Sequence, residues 1–570
     1  MCRSSKRFRS KLNQIAVSLF LAVCISPTAE PATIIGRVSN KTQHESEARP
    51  GGISESLDSL RSRISAHVNQ SRFSAARWGI KISSLDTGKT LFDLNSRKYF
   101  YPASNAKLFS AAVALDRLGP DFRIKTSLFA ASKPDGRGVL KGDLIVYGRG
   151  DPSFAASLND GDYYKALEPV IEALRKAGIR RIQGDVIADE SFFRGPPFGS
   201  GWEWDDLQWY YGAEVSALSI NDNAVDLMIK PAARTGIPCR VTTGPETSFV
   251  TIINRTTTIP KGSPRSLNVY RPIGENVIYV TGQFPVDDPG YTGYVAVHKP
   301  AGMFAALLTG MLTKSGIAVA GKPRSVDWKY REAIPLFDSN LVELCSIESP
   351  PLSEILSDTM KPSQNLYAQL LLLQIGAAVP RLRAQRERHA EPVVTMSSIT
   401  GSRSQRSQST TQDQLEKPDA IGNQTTEEAG LDELRLFLAE AGARRGEVLL
   451  EEGAGLSRRN LVTPDAAIAL LSYMSRHKYA AAFRDALPVG GIDGTLKNRM
   501  KGTAAASNVR AKTGTLRYVN ALSGYLTTAA GERLVFSIML NDNYSSDGAG
   551  SSREDVDPIV VMLAAFTGHT

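Results

Sequence analysis

The chain has 570 residues, of which 42% are hydrophobic and 22% charged. That is roughly four domains' worth of chain with ample apolar side chains, which excludes collagen-like, wholly disordered and miniature disulfide-stapled architectures. The 67 basic and 58 acidic side chains give a formal net charge of +9, yet Arg3, Lys6, Arg7, Arg9 and Lys11 supply five of those charges within the first eleven residues. What remains is a weakly basic body with no basic stripe interleaved with aromatics, so nucleic acid is not a predicted partner.

The basic start leads into an apolar run from Ile15 to Ile25 and then Pro27-Thr28-Ala29, the charged, apolar and small-residue parts of a secretory signal over residues 1–29. Export to the periplasm or another extracytoplasmic space is expected. A bilayer-spanning helix needs about 20 apolar residues and this run is about half that, so no stable transmembrane anchor is predicted and the processed protein is expected to be soluble. Leu21-Ala22-Val23-Cys24 resembles a lipid-attachment box, with Val23 a poor fit before the cysteine. Cys239 and Cys345 remain after processing, and the sequence leaves open whether they pair.

Residues 30–52 mix Pro, Gly, Ser and charge without periodicity and read as a flexible leader. Helical spacing follows from Ser54 to Val68, and Trp78–Leu94 reads as a hairpin around Asp86-Thr87-Gly88-Lys89. A buried helix is expected to open at Ser104, where Ser104-Asn105-Ala106-Lys107 runs into small and apolar residues. Residues 126–339 turn to short β-rich runs broken by Gly, Pro and Asp, which predicts a mostly β insertion. It divides a catalytic unit made of residues 53–125 and 340–570. Helices return near Leu352, including Leu366–Ile375. Residues 380–424, rich in Arg, Gln, Ser and Thr, read as a disordered loop within that unit. A helix over Glu427–Ala441, strands at Val509–Thr513, Ala521–Thr527 and Arg533–Leu540, and a closing helix over Asp557–Phe566 complete the chain.

Histidines are few and without ligand spacing, and there is no HExxH or GxSxG, so neither a metal nor another cofactor is expected. Gly316 to Lys322 resembles a phosphate loop, but Pro323 stands where a magnesium-holding Ser or Thr belongs. A serine nucleophile without histidine needs another base, and the usual substitute is a neutral lysine. The set SxxK, Ser-x-Asn and KTG supplies one. SxxK occurs at Ser104 and Ser475, Ser-x-Asn at Ser157, Ser219, Ser266 and Ser363, and KTG once, at Lys512-Thr513-Gly514. Ser104 and Lys107 share a helix face, whereas Ser475 reads as surface. Ser363-Gln364-Asn365 precedes a helix, while the other three matches fall in the β-rich insertion. Taken singly, Ser104 and Ser363 read equally well as helix caps, Lys107 as a solvated side chain and the KTG run as the end of a strand. The ordered set in matching contexts is the discriminating signal.

With these motifs the chain resembles the penicillin-binding protein 4 type of D-alanyl-D-alanine carboxypeptidase and endopeptidase, a family of serine DD-peptidases. Further stretches are similar to that family: GDLIVYGRGDPSF (142–154), YGAEVSALSINDN (211–223), GLSRRNLVTP (455–464) and LPVGGIDGTL (487–496). So is the 259-residue separation of Ser104 from Ser363. Glu452-Gly453-Ala454-Gly455 departs from the usual Asp-Gly-Ser-Gly. The resemblance implies an α+β fold: a β-lactamase/transpeptidase-like domain, antiparallel sheet with flanking helices, interrupted by the insertion. It implies peptidoglycan peptides and β-lactams as partners, with Ser104 as nucleophile, Lys107 as general base and Ser363 as proton relay. Asn365, Lys512, Thr513, Gly514 and Thr515 would bind substrate. Asp151 would contact the free amino group of a diaminopimelate side chain, unless it serves the turn before Pro152. A β-lactamase and a non-catalytic wall-binding protein are the rival readings.

Overall fold

Apolar residues on both faces of its strands set the central sheet. In a computed structural model, which describes residues 54–336, 340–389, 424–544 and 554–570, the predicted hairpin is β1 (Arg77–Ser84) and β2 (Thr90–Leu94). Three late strands, β3 (Arg510–Leu516), β4 (Val519–Thr527) and β5 (Arg533–Asn541), join it in the order β3-β4-β5-β1-β2. Every neighbouring pair is antiparallel. β5 is central and covered on both faces. Leu534, Phe536, Ile538 and Leu540 enter one apolar cluster, and Val535 and Met539 enter another. That division follows from the two-residue repeat of a strand.

The first cluster is roofed by α1 (Leu57–Val68) and, from the other end of the chain, α7 (Asp557–Ala564). The side chain of Ser56 caps α1 by accepting from the Ser59 N–H at 3.2 Å. The second cluster holds α2 (Ala106–Leu118), α3 (Leu352–Met360), α4 (Asn365–His389), α5 (Thr426–Glu440) and α6 (Pro464–Arg476). α2 is buried from Ala106 to Leu115 without a polar face, as its small-residue run requires. The result is the α+β arrangement expected, an antiparallel sheet between helical layers. Among the described residues no helix is long and apolar enough to cross a membrane.

Between α2 and α3, strands Lys125–Ala130 and Val342–Glu348 lie side by side and antiparallel, so the chain leaves and returns at one place. They belong to a five-stranded sheet with Leu144–Tyr147, Val186–Asp189 and Pro323–Val326, those three mutually parallel. Helix Pro300–Lys314 packs on it, and three three-stranded sheets complete this region among the described residues. Phe129, Tyr147 and Phe192 here cluster with Leu366, Tyr367 and Leu370 of α4. Cys239 and Cys345 are free thiols.

Composition places the end of order at residue 380, but α4 continues to His389. Leu382 to Arg388 are mostly strong helix formers, and propensity carries a helix past its apolar face. The signal, the leader and residues 390–423 lie outside the described residues.

Phe536 is fully buried in the central strand. Phe536→Ala is expected to lower the unfolding free energy by about 3–5 kcal/mol, read as a shift of the denaturant midpoint.

Candidate active site

Ser104 sits in a 3₁₀ turn, Ala103–Asn105, immediately before α2, rather than in the first α-helical turn as its spacing predicts. Lys107, the second residue of α2, follows one turn later. Lys107 Nζ lies 2.9 Å from Ser104 Oγ. The turn is pinned from below: Asn105 Nδ2 donates to Ser523 Oγ at 2.8 Å, and Ser523 donates to Ser537 Oγ at 2.9 Å, reaching β4 and β5.

The Lys107 amine is fully buried and has two further partners, Asn365 Oδ1 at 2.6 Å and the Ala454 carbonyl at 2.5 Å. Both are acceptors only, so each must take an N–H. A neutral amine has two N–H bonds and one lone pair. With both N–H bonds committed, the lone pair faces Ser104, the one partner whose O–H can donate to it. Burial pushes the Lys107 pKa down to about 7, against the opposing pull of the Glu452 carboxylate.

Ser363 occupies the left-handed region, φ +67°, in the turn between α3 and α4. A serine there costs on the order of 1 kcal/mol relative to glycine, and its hydroxyl accepts from Lys512 Nζ at 2.8 Å. Lys512, fully buried on β3, also donates to the Thr513 carbonyl at 2.9 Å. Burial drives its pKa well down, and the nearby Lys107 adds to the effect. Thr513 Oγ1 donates to Thr495 Oγ1 at 2.8 Å, and Thr515 is exposed on the same strand. Gly514 has to be a glycine: a Cβ there would stand 2.6 Å from the Pro102 carbonyl. Gly455, at φ +83°, presses as closely from the other side, its Cβ position 2.0 Å from the Ala103 carbonyl.

Thus three distant segments supply two hydrogen-bonded groups, Ser104–Lys107–Asn365 and Ser363–Lys512, joined through the short Ser363–Asn365 stretch. Ser475 is elsewhere, on α6, donating to the Ser472 carbonyl of its own helix at 2.8 Å. Asp151 Oδ1 accepts from the Ser153 N–H at 2.8 Å. It is almost fully buried, and burial pushes its pKa up to about 6. Among its described hydrogen bonds none reaches the cluster.

The segment that does reach it from the insertion is residues 203–211. Asn365 Nδ2 donates to the Tyr211 carbonyl at 2.8 Å, and the Tyr211 hydroxyl bonds Asp206, whose pKa burial and then Asp205 raise to about 6. Glu203 lies 3.7 Å from Arg458, which donates to the Arg517 carbonyl just beyond β3. Sequence reading missed the roles of Tyr211, Ala454 and Thr495. Each stands in one of the quoted stretches or beside it, but two of the three act through backbone carbonyls, which leave no residue-type signal.

The sequence profile of the D-Ala-D-Ala carboxypeptidase 3 (S13) family matches residues 60–397 and 415–566. The chain belongs to that family. It is 31% identical over 528 residues to the D-alanyl-D-alanine carboxypeptidase of Actinomadura sp. (strain R39), covering 90% of this chain and 86% of that one. The D-alanyl-D-alanine carboxypeptidase DacB of Haemophilus influenzae is 24% identical, over 82% of this chain and 86% of its own. The crystal structure of penicillin-binding protein 4 (dacB) from Haemophilus influenzae superposes with a TM-score of 0.68 at 24% identity, covering 88% of this chain and 97% of that one. That likeness establishes the shared fold.

Gly514→Val would force β3 off the nucleophile turn. Labelling by a fluorescent penicillin is expected to slow about a hundredfold, as misplacement by an ångström does elsewhere, in stopped-time gel assays.

Proposed function

We propose that this protein is a serine-type D-Ala-D-Ala carboxypeptidase that hydrolyses peptidoglycan stem peptides, and cross-linked DD-peptides at the same cleft, through an acyl-enzyme on Ser104. The observation that carries the proposal is the Lys107 amine, buried, 2.9 Å from Ser104 Oγ, with its other contacts restricted to acceptors. Ser104 Oγ attacks the carbonyl carbon between the two D-alanines and its proton passes to Lys107. The C–N bond then breaks, and the departing amine takes a proton through the Ser363 hydroxyl. Water hydrolyses the ester in the second half, giving a carboxylic acid and the free serine.

Asn365, already bridging Lys107 and the Tyr211 carbonyl, is suited to hold the substrate amide. Lys512, with Thr513 and Thr515, is suited to the terminal carboxylate. An incoming anion favours the charged form of Lys512, which burial and then the nearby Lys107 disfavour. The backbone N–H groups of Ser104 and Thr515 would stabilise the oxyanion; one such donor is worth about a hundredfold to a thousandfold in rate. For a cationic diamino-acid side chain, Asp151 is the candidate the resemblance offers, and Glu203, Asp205 and Asp206 are a second, on a loop that bonds Asn365 through the Tyr211 carbonyl. The N-terminal segment supports action outside the cytoplasm, on the wall.

A β-lactamase needs a carboxylate with a free oxygen to activate the deacylating water. The carboxylate whose charge acts on Lys107 is Glu452, and both its oxygens are taken up by N–H donors. That favours a long-lived penicilloyl adduct over turnover.

Ser104→Ala is expected to abolish covalent labelling by fluorescent penicillin while Ser475→Ala leaves it intact; the reverse would overturn the choice of nucleophile. Because the base must be neutral, the second-order acylation rate of the wild type should fall about tenfold per pH unit below about 7 and level off above it. A rate flat from pH 5 to 9 would remove Lys107 from the role.

A further inference from the structure

Glu452 is fully buried, and no step of the proposed reaction uses it. Its Oε2 accepts from the Ala454 N–H at 2.6 Å, and its Oε1 from the Gly455 N–H at 2.7 Å, the Ser457 N–H at 3.3 Å and Asn460 Nδ2 at 2.5 Å. A carboxylate so placed curls the chain around itself: the N–H groups of 454, 455 and 457 converge on it. The next groups along are already committed. Gly453 donates to Gln369 Oε1 at 2.7 Å and its carbonyl accepts from Ser110 Oγ at 2.7 Å. The Ala454 carbonyl accepts from Lys107 Nζ at 2.5 Å. Gly455 lies against the Ala103 carbonyl, one residue before the nucleophile.

We propose that Glu452 is a positioning residue for Lys107: its carboxylate folds the 452–457 turn so that the Ala454 carbonyl occupies one amine hydrogen, and its charge sets the field in which that amine gains and loses its proton. The inference rests on Lys107 being the base in the reading above. The geometry gives the carboxylate two separable effects. Losing the cage frees the Ala454 carbonyl, and the lone pair of Lys107 is then no longer confined to Ser104. Losing the charge removes the carboxylate that holds the amine towards its protonated form.

The charged and polar groups around Lys107 are few. Ser104 comes from the 3₁₀ turn, Asn365 from α4, Lys512 from β3 and Glu452 from the turn itself. Burial opposes protonation of Lys107 and Glu452 favours it. On the far side of Glu452, Gln369 donates through Nε2 to Glu427, whose own carboxyl is raised by burial and, in small part, by Glu452. A change of charge at 452 therefore reports on the lysine.

The test is the pH profile of acylation by a fluorescent penicillin in the full processed chain. Glu452→Gln is expected to slow acylation at pH 8 at least about tenfold and to move the midpoint of the acid limb down by about one pH unit. Glu452→Asp keeps the charge and should keep the midpoint, with a smaller loss of rate. A Gln variant that is slower at an unmoved midpoint would make Glu452 a structural filler and overturn the proposal. Should the Gln variant fail to fold, Asn460→Ala reads the same field with the opposite sign. Removing an N–H dipole from the carboxylate makes the site more negative, and the midpoint should rise by about half a unit; no rise overturns the proposal. Failure of the underlying reading looks different, for then wild type itself takes no label, or Ser104→Ala keeps it.

Discussion

Two lysine amines buried in one cleft are the constraint around which this molecule is built. A fully buried ammonium is costly unless it is paired or gives up its proton. Here Lys107 and Lys512 are both withdrawn from water, and Lys107 further disfavours the charge of Lys512. The protein accommodates them with acceptors rather than a direct ion pair: Asn365 and the Ala454 carbonyl for one, Ser363 and the Thr513 carbonyl for the other. The same arrangement that leaves a lysine neutral leaves it basic enough to take a proton from a serine.

The surrounding fold is explained by what those acceptors require. Ser363 has to sit in a left-handed turn, and the chain keeps it there although glycine would be more comfortable. Gly455 and Gly514 close on the nucleophile turn from opposite sides, where any side chain would collide with backbone. Thr495 stands behind Thr513 because its own N–H donates to the Lys361 carbonyl at 2.9 Å, tying the 487–496 stretch to the approach to Ser363. The stretches that resemble the family outside the three motifs are in large part the backing of the site.

Much of this was legible in the sequence because it resides in side-chain types and periodicity. The Trp78–Leu94 hairpin, the buried run after Ser104 and the two-faced β5 all announce themselves by which positions are apolar. The nucleophile and both lysines follow from three motifs in order and context. What was not legible works through the main chain or through distance. The Ala454 and Tyr211 carbonyls carry no residue-type signature, and the 3₁₀ turn at Ser104 differs from an α-helix only in which carbonyl is used. Asp151 drew attention through its neighbours Gly148 to Pro152, yet that pattern equally encodes the turn in which its carboxylate is engaged. The extent of α4 beyond 380 was hidden because charge and polarity lower the case for burial without lowering helix propensity.

The pairing of β1 with β5 has a consequence for how the molecule comes into being. Arg77 stands opposite Asn541, and Asn105 bonds Ser523 across 418 positions of sequence. Contacts of such separation are closed late, since the loop entropy must be met before they return anything. A chain still being made therefore carries Ser104 and Lys107 before the strands that pin their turn exist. The cleft is completed only with the last strands, so a nascent or truncated chain holds these groups without the packing that buries them.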